Sequence, residues 1–335
     1  MNELSDYKKT AYCGWTRNTK DLCESSSGGI FYCLAKKILE KGGYVVGAVY
    51  SDDFRSVEHI ISREIEDVKR MRGSKYSQSN YADIIDKIEE KCKNGNSVLF
   101  SGTPCQCYVV KKNVKSDRLI CVDLICNGMQ DRRVLESEIS RLEVNASARI
   151  TDYSMRYKKD HLHLPIYMHA KFENGVQYEE QLYKSVFGKI YGARLALQKS
   201  CYSCKFKGIS RLGDITIGDY RGFRVLGNKE INKYGASTII VNTEIGNKLL
   251  DGIKGDLDLF QAASIRGVIF SNNRIVISGI RPSNKRIEKF WDVFNEKGIE
   301  ESVGLSEKYL SRWGNIIHRI LDRLLLIKYM IIRRI

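Results

Sequence analysis

Apolar residues along the chain follow two alternating rhythms, one with the period of a helix and one with the period of a strand. Within residues 24–41, Ile30, Phe31, Leu34, Ala35, Ile38 and Leu39 recur at helical spacing, and Gly42-Gly43 ends the helix. The run YVVGAVY at 44–50 reads as a strand. Residues 80–93 predict an amphipathic helix with Ile84, Ile85 and Ile88 inward, stopped by Asn94-Gly95, and SVLF at 97–100 predicts a short buried strand. LICVDLI at 119–125 is apolar except for Asp123, the pattern of a strand covered on both faces. Helices are expected at 131–142, 183–197, 244–253 and 284–295, the last with Ile287, Phe290, Trp291 and Phe294 on one side, and a strand at 236–241. Strands alternating with helices in this way predict an α/β fold with a mostly parallel sheet core.

From residue 149 the rhythm changes to shorter alternating runs at 150–157, 166–172 and 176–182, with Asn174-Gly175 as a hairpin turn, so a smaller antiparallel β extension is expected. Residues 51–70 are charged and ambiguous, 254–283 are mixed, and 1–24 carry Cys13 and Cys23 without a regular pattern, which reads as two free thiols. The last stretch, 313–335, mixes Ile316, Ile317, Ile320, Leu321, Leu324, Leu325 and Ile327 with Arg319, Asp322, Arg323, Lys328, Arg333 and Arg334. Those charges exclude a spanning helix. They suit a basic amphipathic tail that lies on an anionic membrane surface, packs on a partner, or docks on its own domain. The expected organisation is an N-terminal segment, 1–23; a main domain, 24–255, with 151–182 as its antiparallel extension; and a C-terminal helical region, 256–335.

Composition narrows the class. Hydrophobic and charged contents of 43% and 28% are those of a globular protein, and 3 prolines against 27 glycines exclude a proline-rich linker. The opening MNELSDYKKTAY lacks the apolar core of an export signal, so the cytoplasm is expected, and the ten cysteines read as thiols or metal ligands, not as a disulfide framework. A net charge of +15 calls for anionic partners. Nucleic acid is not expected, because the basic residues are spread along the chain and no recognition module is present. A phosphate-bearing cofactor accounts for some of the charge and a membrane surface for more.

Candidate chemistry lies at the element ends. SSSGG at 25–29 opens a helix and offers hydroxyls and free N–H groups to an anion, or caps the helix. RGSKY at 72–76 is a second polar glycine turn whose Arg72 and Lys75 would meet a phosphate or solvent. SGTPCQC at 101–107 and CNG at 126–128 follow predicted strands, where an open α/β sheet places ligands, and carry Cys105 and Cys126 to equivalent positions, while Cys33, Cys107 and Cys121 read as packing residues. CYSCKFKGISRLGDITIGDYRGF at 201–223 adds Cys201 and Cys204, then basic Lys205, Lys207 and Arg211, then a strand in which Gly218 would let backbone approach a ligand. Four thiolates suit a structural zinc or a [4Fe–4S] cluster, and purely structural thiols remain an alternative. A thiol–disulfide couple is weaker, since the CxxC opens no thioredoxin-like helix. His161, His163 and His169 follow strand alternation without acidic partners, which argues against a histidine zinc site.

SSSGGIF, GGYVVGAVY, RGSKYSQS, VLFSGTPCQ, VDLICNG and SCYSCKFKGISRLGDITIGDYRGF, in that order, resemble the coenzyme F420 hydrogenase/dehydrogenase beta-subunit family over about residues 24–245. The resemblance implies an FAD-binding α/β protein with a [4Fe–4S] cluster, exchanging single electrons with the flavin and hydride with a substrate. It carries the cluster ligands onto Cys105, Cys126, Cys201 and Cys204. It carries flavin contacts onto Ser26, Ser27, Gly28, Gly29, Ser74, Lys75, Tyr76, Ser101, Gly102 and Thr103, with Asp214, Gly218 and Asp219 near the cofactor.

The chain departs from the family at two points. Asn127 stands where histidine usually follows the cysteine, and Tyr220-Arg221 replaces Phe-Trp in a Gly-Asp-Phe-Trp-Gly segment. The N-terminal ferredoxin motifs of many members are absent from this sequence, so the electron donor is expected to be a separate protein or a reduced nicotinamide or deazaflavin. The chain resembles the short, polysaccharide-biosynthesis-associated type. The expected function is a flavin- and [4Fe–4S]-dependent oxidoreductase acting between a small-molecule substrate or redox coenzyme and an electron carrier. The alternative is a non-catalytic scaffold of glycan assembly that keeps the fold, with a structural metal or none.

Overall fold

The computed structural model describes residues 8–222, 233–262, 264–272, 275–276 and 281–309, together with 320, 323, 324 and 327. In chain order these form β1 (Thr10–Thr16), α1 (Thr19–Cys23), α2 (Ile30–Glu40), β2 (Tyr44–Tyr50), β3 (Val57–Ser62), α3 (Ile65–Met71), β4 (Ser79–Asn80), α4 (Ile84–Lys93), β5 (Val98–Gly102) and α5 (Pro104–Asn113). There follow β6 (Leu119–Leu124), α6 (Arg132–Ala146), β7 (Ile150–Tyr157), β8 (Tyr167–Phe172), β9 (Gln177–Gln181), α7 (Val186–Ala193), β10 (Ile215–Asp219), β11 (Ser237–Val241), α8 (Glu244–Asp251), β12 (Leu257–Gln261), α9 (Ile265–Ser271) and α10 (Asn284–Tyr309).

The fold is the expected α/β arrangement. Nine strands run in the order β12-β1-β11-β10-β6-β5-β2-β3-β4. The centre, β10-β6-β5-β2, is parallel, with Ile215 opposite Val122, Val98 opposite Leu119 and Tyr44 opposite Val98. Antiparallel β11, β1 and β12 extend one side, and β2 turns back into β3 on the other. The extension is the expected antiparallel sheet, β7-β8-β9, with Gly175 at φ 83° in its hairpin turn.

Helix α2 lays Ile30, Leu34 and Ile38 on one face of the large sheet, against Val45, Leu99, Ile215 and Ile239. Ile84, Ile88 and Val110, from α4 and α5, cover the other face over Val46, Phe100 and Cys121. A second core joins Leu135, Phe187 and Phe290 to Met155 and Met168 of the small sheet. Cys33, Cys107 and Cys121 are buried packing residues, as their apolar neighbours implied. Among the described residues no helix is long and apolar enough to cross a membrane. The basic tail expected at 313–335 lies outside the described residues apart from 320, 323, 324 and 327.

Both expected boundaries cut through the large sheet. β1 lies within the stretch assigned to a separate N-terminal segment, yet it pairs with β11 and β12. β12 lies within the stretch assigned to a helical C-terminal region. TAYCGWT hides its strand character because its inward residues include small Ala11 and Cys13, 3% and 0% exposed. The ambiguous 51–70 stretch holds β3 and α3. Helix α10 continues to Tyr309 through a non-helical break at Gly298.

Gly28 and Asp214, both expected beside a cofactor, instead hold the scaffold together. A Cβ on Gly28 would lie 2.4 Å from the Gly14 carbonyl oxygen and 2.7 Å from the Ser237 nitrogen, and the Gly28 N–H donates to Ser237 Oγ at 2.9 Å. Asp214 stands at the entrance to β10, at the opposite end from Asp219. It accepts from the Cys121 N–H at 2.8 Å, from Lys111 Nζ at 3.1 Å and from Thr243 Oγ1 at 2.9 Å, and so ties α5, β6 and α8 together.

His59 fastens β3 to β5. Its ring stacks on Phe100 with centroids 5.2 Å apart, and its Nε2 lies 3.1 Å from the Ser101 carbonyl oxygen, so Nε2–H donates. Burial lowers its pKa to about 4.

Two outcomes are expected from these contacts. Gly28→Ala, which forces backbone apart, should cost about 1–3 kcal/mol in urea denaturation, and an unchanged midpoint would refute the close approach. Below the ordinary histidine pKa of about 6.5 the unfolded chain binds a proton that folded His59 refuses, so stability is lost as pH falls from there through about 4. Replacing His59→Gln should shrink the pH 7 to pH 4.5 difference in unfolding free energy by about 2 kcal/mol. An equal difference in both proteins would count against a buried neutral ring.

Candidate functional site

Parallel strands β5, β6 and β10 deliver the turns after Gly102, Leu124 and Asp219 to one edge of the sheet, where open α/β folds place ligands. A cavity of about 420 Å³ lies there. Of the expected flavin positions, Ser26, Ser27, Gly29, Ser74, Lys75, Tyr76, Ser101, Gly102, Thr103, Gly218 and Asp219 line it; Gly28 and Asp214 do not. Cys126 lines it as well.

The two helix N-termini at the cavity are not equivalent. Helix α2 starts behind Gly29 at φ 78° with no side chain capping it, so its first N–H groups are open to an anion. The serines before it hold the loop in place. Ser25 Oγ donates to the Asp21 carbonyl at 2.6 Å, Ser27 Oγ donates to the Ala236 carbonyl at 2.6 Å, and Ser26 Oγ accepts the Ser74 N–H at 2.9 Å, joining the two polar glycine turns. Lys158 Nζ donates to the carbonyls of Leu22, Ser27 and Tyr234 at 2.6–2.7 Å, and burial lowers its pKa to about 8. At α5, by contrast, Gln106 Oε1 accepts both the N–H and the Oγ1–H of Thr103, at 2.9 and 3.0 Å, so the SGTP turn meets its own needs.

Lys75 lines the cavity, but its ammonium donates to the carbonyls of Arg70, Met71, Arg72 and Gly73 at 2.8–3.4 Å, closing the C-terminus of α3. Burial and the nearby Arg70 lower its pKa to about 7, against the four carbonyls, which favour the charged form. Gly218 lines the cavity and is tightly packed as well. The space a Cβ would need is filled by Ile125 side-chain atoms at 2.8–2.9 Å, so its lack of a side chain serves packing.

The cavity also holds Arg156 and Tyr191, which the sequence did not single out. Arg156, from β7, pairs with Asp219 at 2.7 Å and approaches the Tyr76 hydroxyl at 3.5 Å. The pair holds the Asp219 carboxyl below its ordinary pKa in spite of burial. Tyr76 and Tyr191 face each other with ring centroids 4.8 Å apart. Arg72 lies over the Tyr32 ring at 4.4 Å and pairs with Glu24 at 2.5 Å. An arginine in an alternating strand reads as a solvent-facing residue; Arg156 keeps the alternation, opposite buried Tyr153 and Met155, but the face it occupies lines the cavity, and no local signal announces that.

All ten cysteines are free. Cys105, Cys126, Cys201 and Cys204 are mutual neighbours electrostatically: Cys126 feels Cys201 and Cys105, and Cys201 feels Cys105 and Cys204. Cys126 Sγ accepts the Gly128 N–H at 3.3 Å, and Cys105 Sγ lies 3.0 Å from Thr103 Oγ1. Burial raises the Cys126 pKa to about 11, with Lys207 pulling the other way while its ammonium donates to the Cys126 carbonyl. Arg211 turns away from the thiols and pairs with buried Asp123 at 3.0 Å. The donor chemistry fits a soft metal centre. Among the described residues, however, no three His, Cys, Asp or Glu side chains are close enough to hold a metal, so the thiols share a region without forming a closed site. The donors for a histidine zinc site are dispersed: His169 stacks on Tyr157 at 4.6 Å, and His163 packs by Gly235.

Among solved structures, the chain is similar to a chain of the F420-reducing [NiFe] hydrogenase complex from Methanosarcina barkeri, with 18% identity, a TM-score of 0.52, and coverage of 92% of this chain and 94% of that one. At that identity the likeness is one of fold. No curated protein matches the sequence. The family model for the C terminus of the coenzyme F420 hydrogenase/dehydrogenase beta subunit matches residues 95–263, which is half of the chain and runs from β5 through β12 with all four neighbouring cysteines. By that match, on a fold that agrees with it, the chain belongs to the coenzyme F420 hydrogenase/dehydrogenase beta-subunit family.

Proposed function

We propose that this chain is an oxidoreductase that holds FAD in the cavity and an iron–sulfur centre on Cys105, Cys126, Cys201 and Cys204, and that it moves electrons between a small-molecule substrate or redox coenzyme and a separate carrier protein. One observation carries this reading: Cys126 lines the same cavity as the uncapped start of α2. A flavin held there would supply hydride and single-electron chemistry.

In this reading the chain's own residues divide the work. The open N–H groups of α2 receive the cofactor's diphosphate, with the helix dipole favouring its charge. Ser26 and Ser74, hydrogen-bonded to each other, set the spacing of the two turns that border it. Tyr76 and Tyr191 supply a flat apolar wall. The Gly128 N–H and the Lys207 ammonium favour thiolate at Cys126, which a metal ligand must be. The working unit is the large sheet with its antiparallel extension, and the basic tail gives a peripheral contact with anionic membrane. The family's polysaccharide-associated members make sugar-pathway intermediates the first substrates to assay.

The test is anaerobic purification and reconstitution, followed by absorbance and metal analysis. A flavin spectrum and about four irons per chain are expected, as four-cysteine ligation of a [4Fe–4S] centre requires. Cys126→Ser and Cys201→Ser should each lose most of the iron, while Cys107→Ser, at a buried packing position, should keep it. Colourless protein would overturn the reading in favour of the glycan-assembly scaffold, and zinc alone would reduce the thiols to a structural site.

A further inference from the structure

Lys158, the residue after β7, does not line the cavity, yet it holds the turn that opens α2. It is 7% exposed. The three N–H bonds of its ammonium meet three carbonyls, those of Leu22 in α1, Ser27 in the turn and Tyr234 ahead of β11. No carboxylate bonds to it among the described residues, and Asp219 acts on it only at a distance. A buried lysine ordinarily has an acid partner; here three carbonyl oxygens hold the ammonium and leave its full charge in place.

The turn gives that charge a use. The Ser27 carbonyl is taken by Lys158, and the Gly28 carbonyl by the Thr16 N–H at 2.8 Å, so both carbonyls ahead of Gly29 are engaged. The first N–H groups of α2, uncapped behind Gly29, are what the turn offers an anion. We propose that Lys158 is the positioning residue of this anion turn: its protonated amine gathers the three carbonyls, fixes the open N–H groups of α2 in place, and puts behind them a positive charge that a diphosphate feels without touching it. The inference rests on the proposed function, in which a diphosphate is received at α2, and adds a pH control to that site. A neutral amine has two N–H bonds for three carbonyls and no charge, so affinity for a diphosphate falls as pH rises through the titration of Lys158, which burial brings down to about 8. The groups around Lys158 do not imitate this change. Burial keeps His163 neutral, with a pKa of about 4; Arg156 stays charged; and Asp219, paired with Arg156, is held below the ordinary carboxyl range. The thiol of Cys23, in α1, is separated by substitution.

The test titrates ADP-ribose, a diphosphate diester without a flavin, calorimetrically into the full chain. At about pH 7, Lys158→Met should weaken ADP-ribose by about 10-fold or more, the weight of hydrogen bonds to a charged group. Lys159→Met, at an exposed neighbour paired with Glu179, should leave it unchanged. Wild-type affinity should fall about 10-fold from there to about pH 9.5, Cys23→Ser should show the same fall, and Lys158→Met should give a level profile. A lysine that only supports the fold would lower the urea midpoint without producing that profile. A folded Lys158→Met chain that binds like wild type, a level wild-type profile, or a fall that persists in Lys158→Met would each overturn the proposal. Should Lys158→Met fail to fold, the wild-type profile read beside Cys23→Ser still decides. FAD is titrated in parallel: ADP-ribose binding without FAD binding sinks the flavin reading and leaves Lys158 in its role, while FAD binding that ignores Lys158 does the reverse.

Discussion

The pair between Asp123 and Arg211 fixes everything at the functional edge. Both side chains are sealed from solvent, 0% and 2% exposed, and their contact is 3.0 Å. Asp123 lies in β6, three residues before Cys126, while Arg211 belongs to the loop that has just carried Cys201 and Cys204. Arg211 also donates to the Leu124 carbonyl at 3.1 Å. Burying two charges costs several kcal/mol each, which their attraction offsets only in good geometry, so such a pair is weak evidence for net stability. Its effect here is one of placement. Thr216 and the Gly213 backbone also reach the buried carboxylate, but it is Arg211 that brings the CxxC loop beside the strand end bearing Cys126.

The same constraint explains which parts of the site were legible in the sequence. Helix starts, glycine turns and strand ends are local signals, so SSSGG, RGSKY, SGTP and CNG could be read directly, and all four turns border one cavity. What each residue does there depends on partners far along the chain. Gly28 was recognisable as a turn residue, but what confines it is the backbone of Gly14 and Ser237. Asp214 looked like part of a cofactor motif because it lies close in sequence to Asp219, yet the length of β10 separates the two ends. Arg156 gave no signal at all, since the face of β7 opposite Tyr153 and Met155 meets the cavity only through partners far along the chain, Asp219 among them. β1 escaped notice because a strand inside a wide sheet can satisfy burial with alanine and cysteine.

The residues expected to depart from the family pattern occupy different surroundings in this geometry. Tyr220 packs against the cluster that contains Ala11, Ile240 and Val268, whereas Arg221 lines the cavity. Of the two residues, only Arg221 therefore faces the cavity. Asn127 is likewise placed by charge: both its carbonyl and its side-chain oxygen accept from Arg194 Nη1, at 2.9 and 3.2 Å. The asparagine side chain adds one oxygen to the backbone carbonyl that any residue there would offer. The turn after Cys126 is thus stabilised by an oxygen–guanidinium contact suited to this chain's own surroundings.

Ligand binding and folding are coupled through what the cavity wall leaves unmet. His59 Nδ1, Ser77 Oγ, Arg72 Nε and Arg156 Nη2 are buried polar atoms without a hydrogen-bond partner among the described residues, and all four residues line the cavity. The start of α2 adds uncapped N–H groups to the same surface. Each such group is carried by the folded chain at a cost that a ligand can remove, because the unfolded chain meets the same needs with water. A molecule that supplies acceptors to the open start of α2 therefore gains affinity and raises stability by the same contacts.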